Sequence, residues 1–419
     1  MLLLHRTFVW MILLYNLGLL VLRLGFRIAA LFNSKAAAFI QAREGIFERL
    51  ETTFSESKRV AWVHCASLGE FEQGRPVIEQ LKKEYTDLEI LVTFFSPSGY
   101  EVRKNYPLAN VFYLPWDTAR NAEKFVQLVR PTFAVFIKYE FWYHYSKALR
   151  NKAIPLLSVS SIFRPQQVFF KTYGSFYRRI LENFDFFFVQ NDESRKLLST
   201  IGFENSLIAG DTRFDRVYTV VNQAENVPLA ERFKAGQKTV VVGSCWREDL
   251  DVLLPTINDG NVKFIIAPHE ISEAFIQTIE RFVHVKTVRF SRAADSNIES
   301  CQVLIIDNVG MLSRLYKYGE FAFVGGAFGK GLHNILEAAC YGVPIFFGDR
   351  NYEKFQEAVD LINRGGAFEV SDARSFKEKF GMLNTPESFL LACEVTRSYV
   401  LENLGATEKI MAYCRKLLN

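Results

Sequence analysis

The sequence predicts two doubly wound α/β domains behind an apolar N-terminal helix, and three observations carry this reading. The chain has 419 residues, more than one hydrophobic core usually organises. Apolar or β-branched runs alternate with stretches of helical character, which implies a mainly parallel sheet with helices on both faces. The alternation is laid down twice, with a polar interval between the two series.

The N-terminal segment differs from the rest. From Thr7 to Leu22 it carries no charge, and Arg23, Arg27 and Lys35 follow. At about 1.5 Å per residue this run gives roughly 24 Å of helix against roughly 30 Å of hydrocarbon, so residues 1–32 are expected to form a membrane anchor or an interfacial helix. The cations on its C-terminal side place the bulk of the chain in the cytoplasm. RVAWVHCAS, EILVTFF, VFYLP, FAVFIK, PLLSVS and FDFFFVQ then form the first strand series, assigned to a domain at 33–220. A linker near Val220 to Pro228 leads to KTVVVGS, KFIIAPH, QVLIID, FAFVGG, VPIFFG and AFEV, a second domain at 228–395. Residues 396–419 are expected to form a C-terminal helix packing back toward the first domain.

Several function classes lose support. Lys plus Arg exceed Asp plus Glu by only 50 − 46 = 4, with no long basic block, so a nucleic-acid partner is not indicated. The six cysteines are scattered without CxxC spacing, which argues against a zinc site and a disulfide framework and fits a reducing cytoplasm. No GxGxxG opens a helix after the first strand of either series, and no Walker A sequence occurs. Asp249 and Asp251 form the lone DxD, and on a helix they point about 200° apart. No metal and no cofactor is implied.

Chemistry concentrates in a few segments. In FAFVGGAFGKGLHNILEAACYGVPIFFG, Gly325 and Gly326 end a strand, and a helix is expected from His333 or Asn334 to Tyr341. Its N-terminus would hold a phosphate, while Glu337, one turn in on the face of His333, would accept ribose hydroxyls. In VHCASLGEFEQGRPVIEQL a strand runs through Ser67 and Gly69 into a helix whose first turn carries Glu70. A first-turn glutamate also favours the helix dipole, but a carboxylate at a strand's carboxyl end, opposite a nucleotide site, fits a general base. KYEFWYHY supplies Glu140 in a similar strand-end position. FFSPSGYE with Ser98, SVSSIFRPQQ with Arg164 and AGDTRFD with Arg213 are further cleft candidates, since guanidinium offers a fork to a carboxylate or phosphate. His64 and His144, beside strand ends, fit structural roles.

These ordered motifs, HCASLGE, TFFSPSGYE, YLPWD, KYEFWY, SVSSIFR, VQNDESRKLLSTIG, GDTRFD and VGGAFGKGLHNILEAACYGVPIFFG, resemble the 3-deoxy-D-manno-octulosonic acid (Kdo) transferases of lipopolysaccharide assembly over nearly the whole chain. The resemblance implies a GT-B architecture with two Rossmann-like domains facing a cleft, CMP-Kdo as donor, a lipid A precursor as acceptor, inversion at the anomeric carbon, no metal, and a place at the bacterial inner membrane with the catalytic domains on its cytoplasmic face. It places the catalytic base on Glu70 and a second essential carboxylate on Glu140. Donor contacts fall on Ser244, Gly326, Lys330, His333, Asn334, Glu337 and Arg213; Ser67, Gly69, Ser98 and Arg164 are assigned to the donor carboxylate or the acceptor. The chain departs from the pattern at VGSCWRED, where a histidine is expected, before His269, where an arginine is expected, and at Arg213, where lysine is common. Another GT-B nucleotide-sugar transferase or an epimerase is the enzymatic alternative, and an inactive membrane-anchored scaffold the non-enzymatic one.

Overall fold

Two all-parallel sheets form the frame of the protein. The computed structural model describes residues 2–56, 59–294 and 297–419, and for residues 2–7 and 35 the backbone only, so the side chain of Lys35 and Met1 of the 1–32 segment lie outside the described residues. The first sheet contains β1 (Val60–Cys65), β2 (Glu89–Phe94), β3 (Asn110–Tyr113), β4 (Phe133–Ile137), β5 (Leu156–Ser161), β6 (Phe186–Val189) and β7 (Ser206–Ile208), in the order β3-β2-β1-β4-β5-β6-β7. The second contains β8 (Thr239–Cys245), β9 (Lys263–Pro268), β10 (Thr287–Arg289), β11 (Val303–Ile305), β12 (Phe321–Val324), β13 (Ile345–Gly348) and β14 (Ala367–Val370), in the order β10-β11-β9-β8-β12-β13-β14.

The strands are near-continuous apolar runs because both faces of each sheet are covered. In β1, Val60 and Trp62 join one core cluster while Ala61, Val63 and Cys65 join the other, on the opposite face. The strand order reverses beside β1, between β2 and β4, and beside β8, between β9 and β12. In doubly wound sheets such reversals open crevices at the carboxyl ends of the strands, where ligands bind. The residues that follow β1, β4, β8 and β12 therefore stand at these crevices.

The chain divides into two units, residues Met1–Asp215 with Leu404–Asn419, and Arg216–Asn403. The end of the chain differs from the single helix expected over 396–419. Pro386–Glu402 is a helix of the second unit, the chain breaks at Asn403–Gly405, and Gly405, at φ 97°, precedes a last helix, Ala406–Leu418, in the first. Ala406, Ile410, Met411 and Cys414 of that helix are buried in the cluster that holds Val63 and Ile137. Asp215 caps it, accepting from the backbone N–H groups of Gly405 (2.7 Å) and Thr407 (2.6 Å).

Among the described residues, one helix is long and apolar enough to cross a membrane by length and composition, within Leu2–Ala29. One stripe of it packs on the first unit. Phe8 and Tyr15 meet Tyr143 and Phe176, and Phe26 stacks on Phe39 at 4.3 Å. The Tyr15 hydroxyl donates to the buried Asp117, which also accepts from the N–H groups of His144 and Tyr145. Burial lowers the His144 ring to about 4, so the neutral imidazole donates through Nε2 to Asn16 Oδ1 at 2.7 Å. His144 is structural, as its sequence context suggests.

Candidate active site

In the first unit, the predicted site residues fall at the carboxyl ends of four adjacent strands, β2, β1, β4 and β5. Ser98 follows β2, Ser67, Gly69 and Glu70 follow β1, Glu140 follows β4, and Arg164 follows β5. The turns after β1 and β2 are tied by a 2.8 Å bond from Ser96 N–H to the Ala66 carbonyl, and Ser98 Oγ lies 3.0 Å from Ser96 Oγ.

Ser67-Leu-Gly-Glu70 has the spacing of a capping box, in which the glutamate would return to the N-cap backbone. That box is not formed. Ser67, the N-cap of the helix Leu68–Glu84, makes no side-chain cap bond; its hydroxyl donates to Glu70 Oε2. The Glu70 carboxylate is thus steered sideways by a hydroxyl rather than spent on the helix end. Its other oxygen has no hydrogen-bond partner among the described residues.

Glu140 is oriented by two ring N–H donors. Trp142 Nε1 donates to Oε2 at 2.7 Å, and His64 Nε2 lies 3.0 Å from the same oxygen. His64 is fully buried; its Nδ1 is 2.9 Å from Thr93 Oγ1, which itself accepts from Trp62 Nε1 at 2.8 Å. Because the indole can only donate, the Thr93 hydroxyl oxygen accepts from it; His64 Nδ1 also lies 3.1 Å from the Thr93 carbonyl oxygen, and Nε2 faces Glu140. The relay Trp62, Thr93, His64, Glu140 leaves each of these groups satisfied. Just before Glu140, Lys138 adopts φ 62°, a left-handed conformation costly for a side-chain-bearing residue and common where a site dictates the backbone. Arg164 Nη1 lies 3.0 Å from Tyr139 Oη, next in the chain to Glu140, and Arg164 has no carboxylate partner among the described residues.

Arg213 sits in the first unit as well. Its guanidinium is committed to Asp211 through Nε and Nη2, each 2.8 Å from Oδ2, and its N–H bonds Oδ1 at 2.9 Å. The fork expected for an anionic ligand is occupied by a carboxylate of its own turn.

In the second unit, Ser244 lies one residue before the end of β8 with φ 51°, where the register against β9 shifts, and Gly325 and Gly326 follow β12. Glycine is required at both. A Cβ at Gly325 would lie 2.3 Å from the Ser244 carbonyl oxygen, and Gly326 has φ 97° with His333 and the Gly331 carbonyl against it. Asp249, fully buried, joins the two turns, its Oδ2 accepting from Trp246 N–H (2.9 Å) and Gly326 N–H (3.0 Å). The expected DxD pair separates: Asp251 is exposed and pairs with Arg247 at 2.9 Å.

The helix expected from His333 to Tyr341 is not present. A single turn, Leu336–Ala339, replaces it. The His333 N–H returns to the Gly325 carbonyl at 3.2 Å and Asn334 Oδ1 accepts from Leu336 N–H, so the glycine-rich loop holds these residues outside helical geometry. A phosphate site on that helix's N-terminus is therefore withdrawn, as is the shared helical face of His333 and Glu337; Glu337 instead accepts from Asn334 Nδ2 at 3.3 Å. What remains is a ring stack. Trp246 lies on His269 at 4.2 Å, His269 on His333 at 4.4 Å, and the Lys330 ammonium sits 4.5 Å from the Trp246 ring centre. Trp246 Nε1 donates to His333 Nε2 at 3.0 Å. Burial, aided by His269, lowers His333 to about 4, so the ring is neutral with its proton on Nδ1, available as a donor.

Comparison with known proteins gives the following. A family model described as 3-deoxy-D-manno-octulosonic-acid transferase (kdotransferase) matches residues 43–216. The 3-deoxy-D-manno-octulosonic acid transferase of Aquifex aeolicus is 27% identical over 327 residues, 75% of this chain and 83% of that protein. That of Haemophilus influenzae is 24% identical over 378 residues, 84% and 85% of the two chains. The chain is a homologue of the Kdo transferases. Among solved structures, the UDP-GlcNAc 2-epimerase from Neisseria meningitidis superposes with TM-score 0.59 at 14% identity, covering 85% of this chain and 100% of that one. MurG of Acinetobacter baumannii gives 0.56 at 11%, covering 86% and 99%. These establish the GT-B fold, and the homology makes this Kdo transferase homologue a glycosyltransferase.

Sequence reasoning missed the side chains that orient the named ones: His64, Thr93 and Trp142 around Glu140, and Trp246, His269 and Asp249 around His333. The signal was present at Trp246, which stands where the family pattern has histidine and supplies a ring N–H.

Asp249 also gives this Kdo transferase homologue a pH dependence. Burial pushes its carboxyl up to about 6 despite two N–H donors, and Oδ1 has no partner among the described residues. A raised folded value means that the folded state holds the proton more tightly than the unfolded chain. The group's contribution is therefore most favourable in acid and is lost as pH rises through about 6. Asp249→Asn, which keeps an acceptor for Gly326, should be more stable than the parent near pH 8, by up to roughly 2–3 kcal/mol, and the gap should shrink to about half near pH 5 and close only below the ordinary carboxylate value of 3.8. Thermal melts at both pH values check the sign.

Proposed function

We propose that the protein transfers Kdo from CMP-Kdo to a hydroxyl of a lipid A precursor, with inversion, on the cytoplasmic face of a bacterial inner membrane. The observation that carries this reading is the pair Glu70 and Glu140 at the switch point of the first sheet, one carboxylate with an open oxygen and one fixed by two ring donors, in a chain homologous to Kdo transferases. The acceptor oxygen attacks the anomeric carbon as the bond to the CMP phosphate breaks, and the electron pair leaves with the phosphate. Glu70 takes the hydroxyl proton through the oxygen that Ser67 does not engage. Ser98 and Gly69 line the same turns, and Arg164 faces the donor's carboxylate. In the second unit, Lys330 and the Nδ1–H of His333 meet the charge that develops on the departing phosphate. Ser244 and Gly326 offer backbone and hydroxyl contacts to the nucleotide, and Asn334 and Glu337 meet its ribose hydroxyls. Arg213 would have to exchange Asp211 for the donor to contribute.

The test is turnover with purified full-length protein, CMP-Kdo generated in place and a lipid A precursor, with mass analysis of the product. A mass increase of one or more Kdo residues is expected, and CMP but not UDP should inhibit. Inhibition by UDP alone would move the protein to another nucleotide-sugar activity of the same fold, and absence of product with either donor class would favour a scaffold.

A further inference from the structure

The N-terminal helix has two apolar faces, and only one of them is used inside the protein. Phe8, Met11, Ile12 and Tyr15 pack on the first unit's core, and Phe26 on Phe39 and Trp116. At about 100° per residue these positions form one stripe. Trp10, Leu13, Leu17, Leu20, Leu24 and Ile28, each more than half exposed, form a second stripe about 180° away, continued by Leu31 and Phe32. Asn16, Arg23 and Arg27 fall on one flank between the stripes, and glycines 18 and 25 on the other.

We propose that the helix Leu2–Ala29 is an in-plane membrane element: one stripe is docked on its own domain, the opposite stripe is immersed in the acyl chains of one leaflet, and Arg23 and Arg27 contact anionic lipid headgroups. Docking along the helix is what rules out a span. The docked stripe runs from Phe8 to Phe26, about 27 Å at about 1.5 Å per residue, nearly the full hydrocarbon thickness. The Arg179 guanidinium lies 4.1 Å from the Phe8 ring and the Lys147 ammonium 5.6 Å from Tyr143. A helix standing across the bilayer would carry these cations and the domain surface around them into hydrocarbon, where ionic groups persist only inside bundles or aqueous cavities. Lying flat, the same helix keeps them in water. The charges on the flank name the occupant. Arg23 and Arg27, one turn apart, are exposed, have no ion pair among the described residues, and edge a cavity floored by Trp116 that also carries Glu44. An apolar stripe bordered by unpaired arginines fits an anionic leaflet, whereas a second copy of the chain would set arginine near arginine.

The proposal rests on helix geometry and not on the sugar donor, so it is tested without turnover. Full-length protein with an N-terminal and a C-terminal epitope is bound to sealed vesicles of equal parts phosphatidylcholine and phosphatidylglycerol, and protease is added outside. Both epitopes should be digested at the same rate; protection of the N-terminal one alone would establish a span and overturn the proposal. Arg23→Gln with Arg27→Gln, both on the surface, should weaken binding to these vesicles by roughly tenfold to thirtyfold and leave binding to pure phosphatidylcholine unchanged. Equal binding of parent and variant to the anionic vesicles would overturn it. So would a stable soluble dimer that ignores both vesicle types, since the second copy would then cover the stripe.

Discussion

Replacement of Glu70 by glutamine should lower turnover by at least two decades. General-base assistance is typically worth about 10²–10⁴-fold, roughly 3–5 kcal/mol at about 1.4 kcal/mol per decade. The amide keeps an oxygen to accept from Ser67, so the turn after β1 and the start of its helix should keep their geometry. It cannot take up the acceptor's proton. Donor affinity should barely change, because the nucleotide contacts proposed above lie on the second unit, and the melting temperature should hold within a few degrees, because only a modest helix-dipole interaction is lost. Steady-state kinetics with a fixed lipid acceptor, paired with donor calorimetry and a thermal melt, separates the outcomes. Turnover within fivefold of the parent would place the base elsewhere and make Glu140 the first alternative. Unfolding would mean that Glu70 is there for the helix.

Glu140→Gln should also be severe, and the relay behind it supplies the control. The amide presents either an oxygen to both ring donors or a nitrogen that clashes with them, so the group is displaced or its charge is lost; a fall of about 10²–10³-fold in kcat is expected. His64 touches neither substrate in the proposed chemistry and acts as a positioning residue through Glu140. His64→Leu removes the Nε2–H donor and should lower kcat about 10²-fold, with KM for the donor within threefold. His64→Gln restores an amide donor at similar reach and should recover most of the loss. Equal defects in the Leu and Gln variants would mean that His64 supports the fold of β1 rather than the carboxylate.

Much of this was legible in the sequence, for identifiable reasons. The strand runs were readable because both faces of each sheet are buried, which removes the alternation and leaves unbroken apolar segments such as those around Val63 and Val242. The strand-end positions of Glu70 and Glu140 were readable because the apolar runs stop just before them, where doubly wound sheets bind ligands, while Ser244 followed from the family resemblance. The His333 segment misled because its composition suits a helix, while Gly325, Gly326 and Gly331 set backbone bonds that compete with helical ones. Arg213 stands out in the sequence by its guanidinium and by the resemblance, neither of which shows that Asp211, two residues away, occupies it. The docked stripe of the N-terminal helix could not be seen at all: a helix apolar on both sides has no periodicity to say which side meets protein.

The return of the chain at Leu404 fixes an order of completion during synthesis. The first unit is begun first, yet its core waits for Ala406, Ile410, Met411 and Cys414, which are made only after the second unit. About 190 residues of the second unit intervene, roughly 10–40 s of elongation at about 5–20 residues per second. Throughout that interval the face of the first sheet that the last helix will cover stays uncovered, while the second unit is synthesised whole as an insertion and can close on its own. The amino-terminal half of this protein therefore matures after the half that follows it, and a chain stalled or cut short near its end would display a finished second unit beside an unfinished first one.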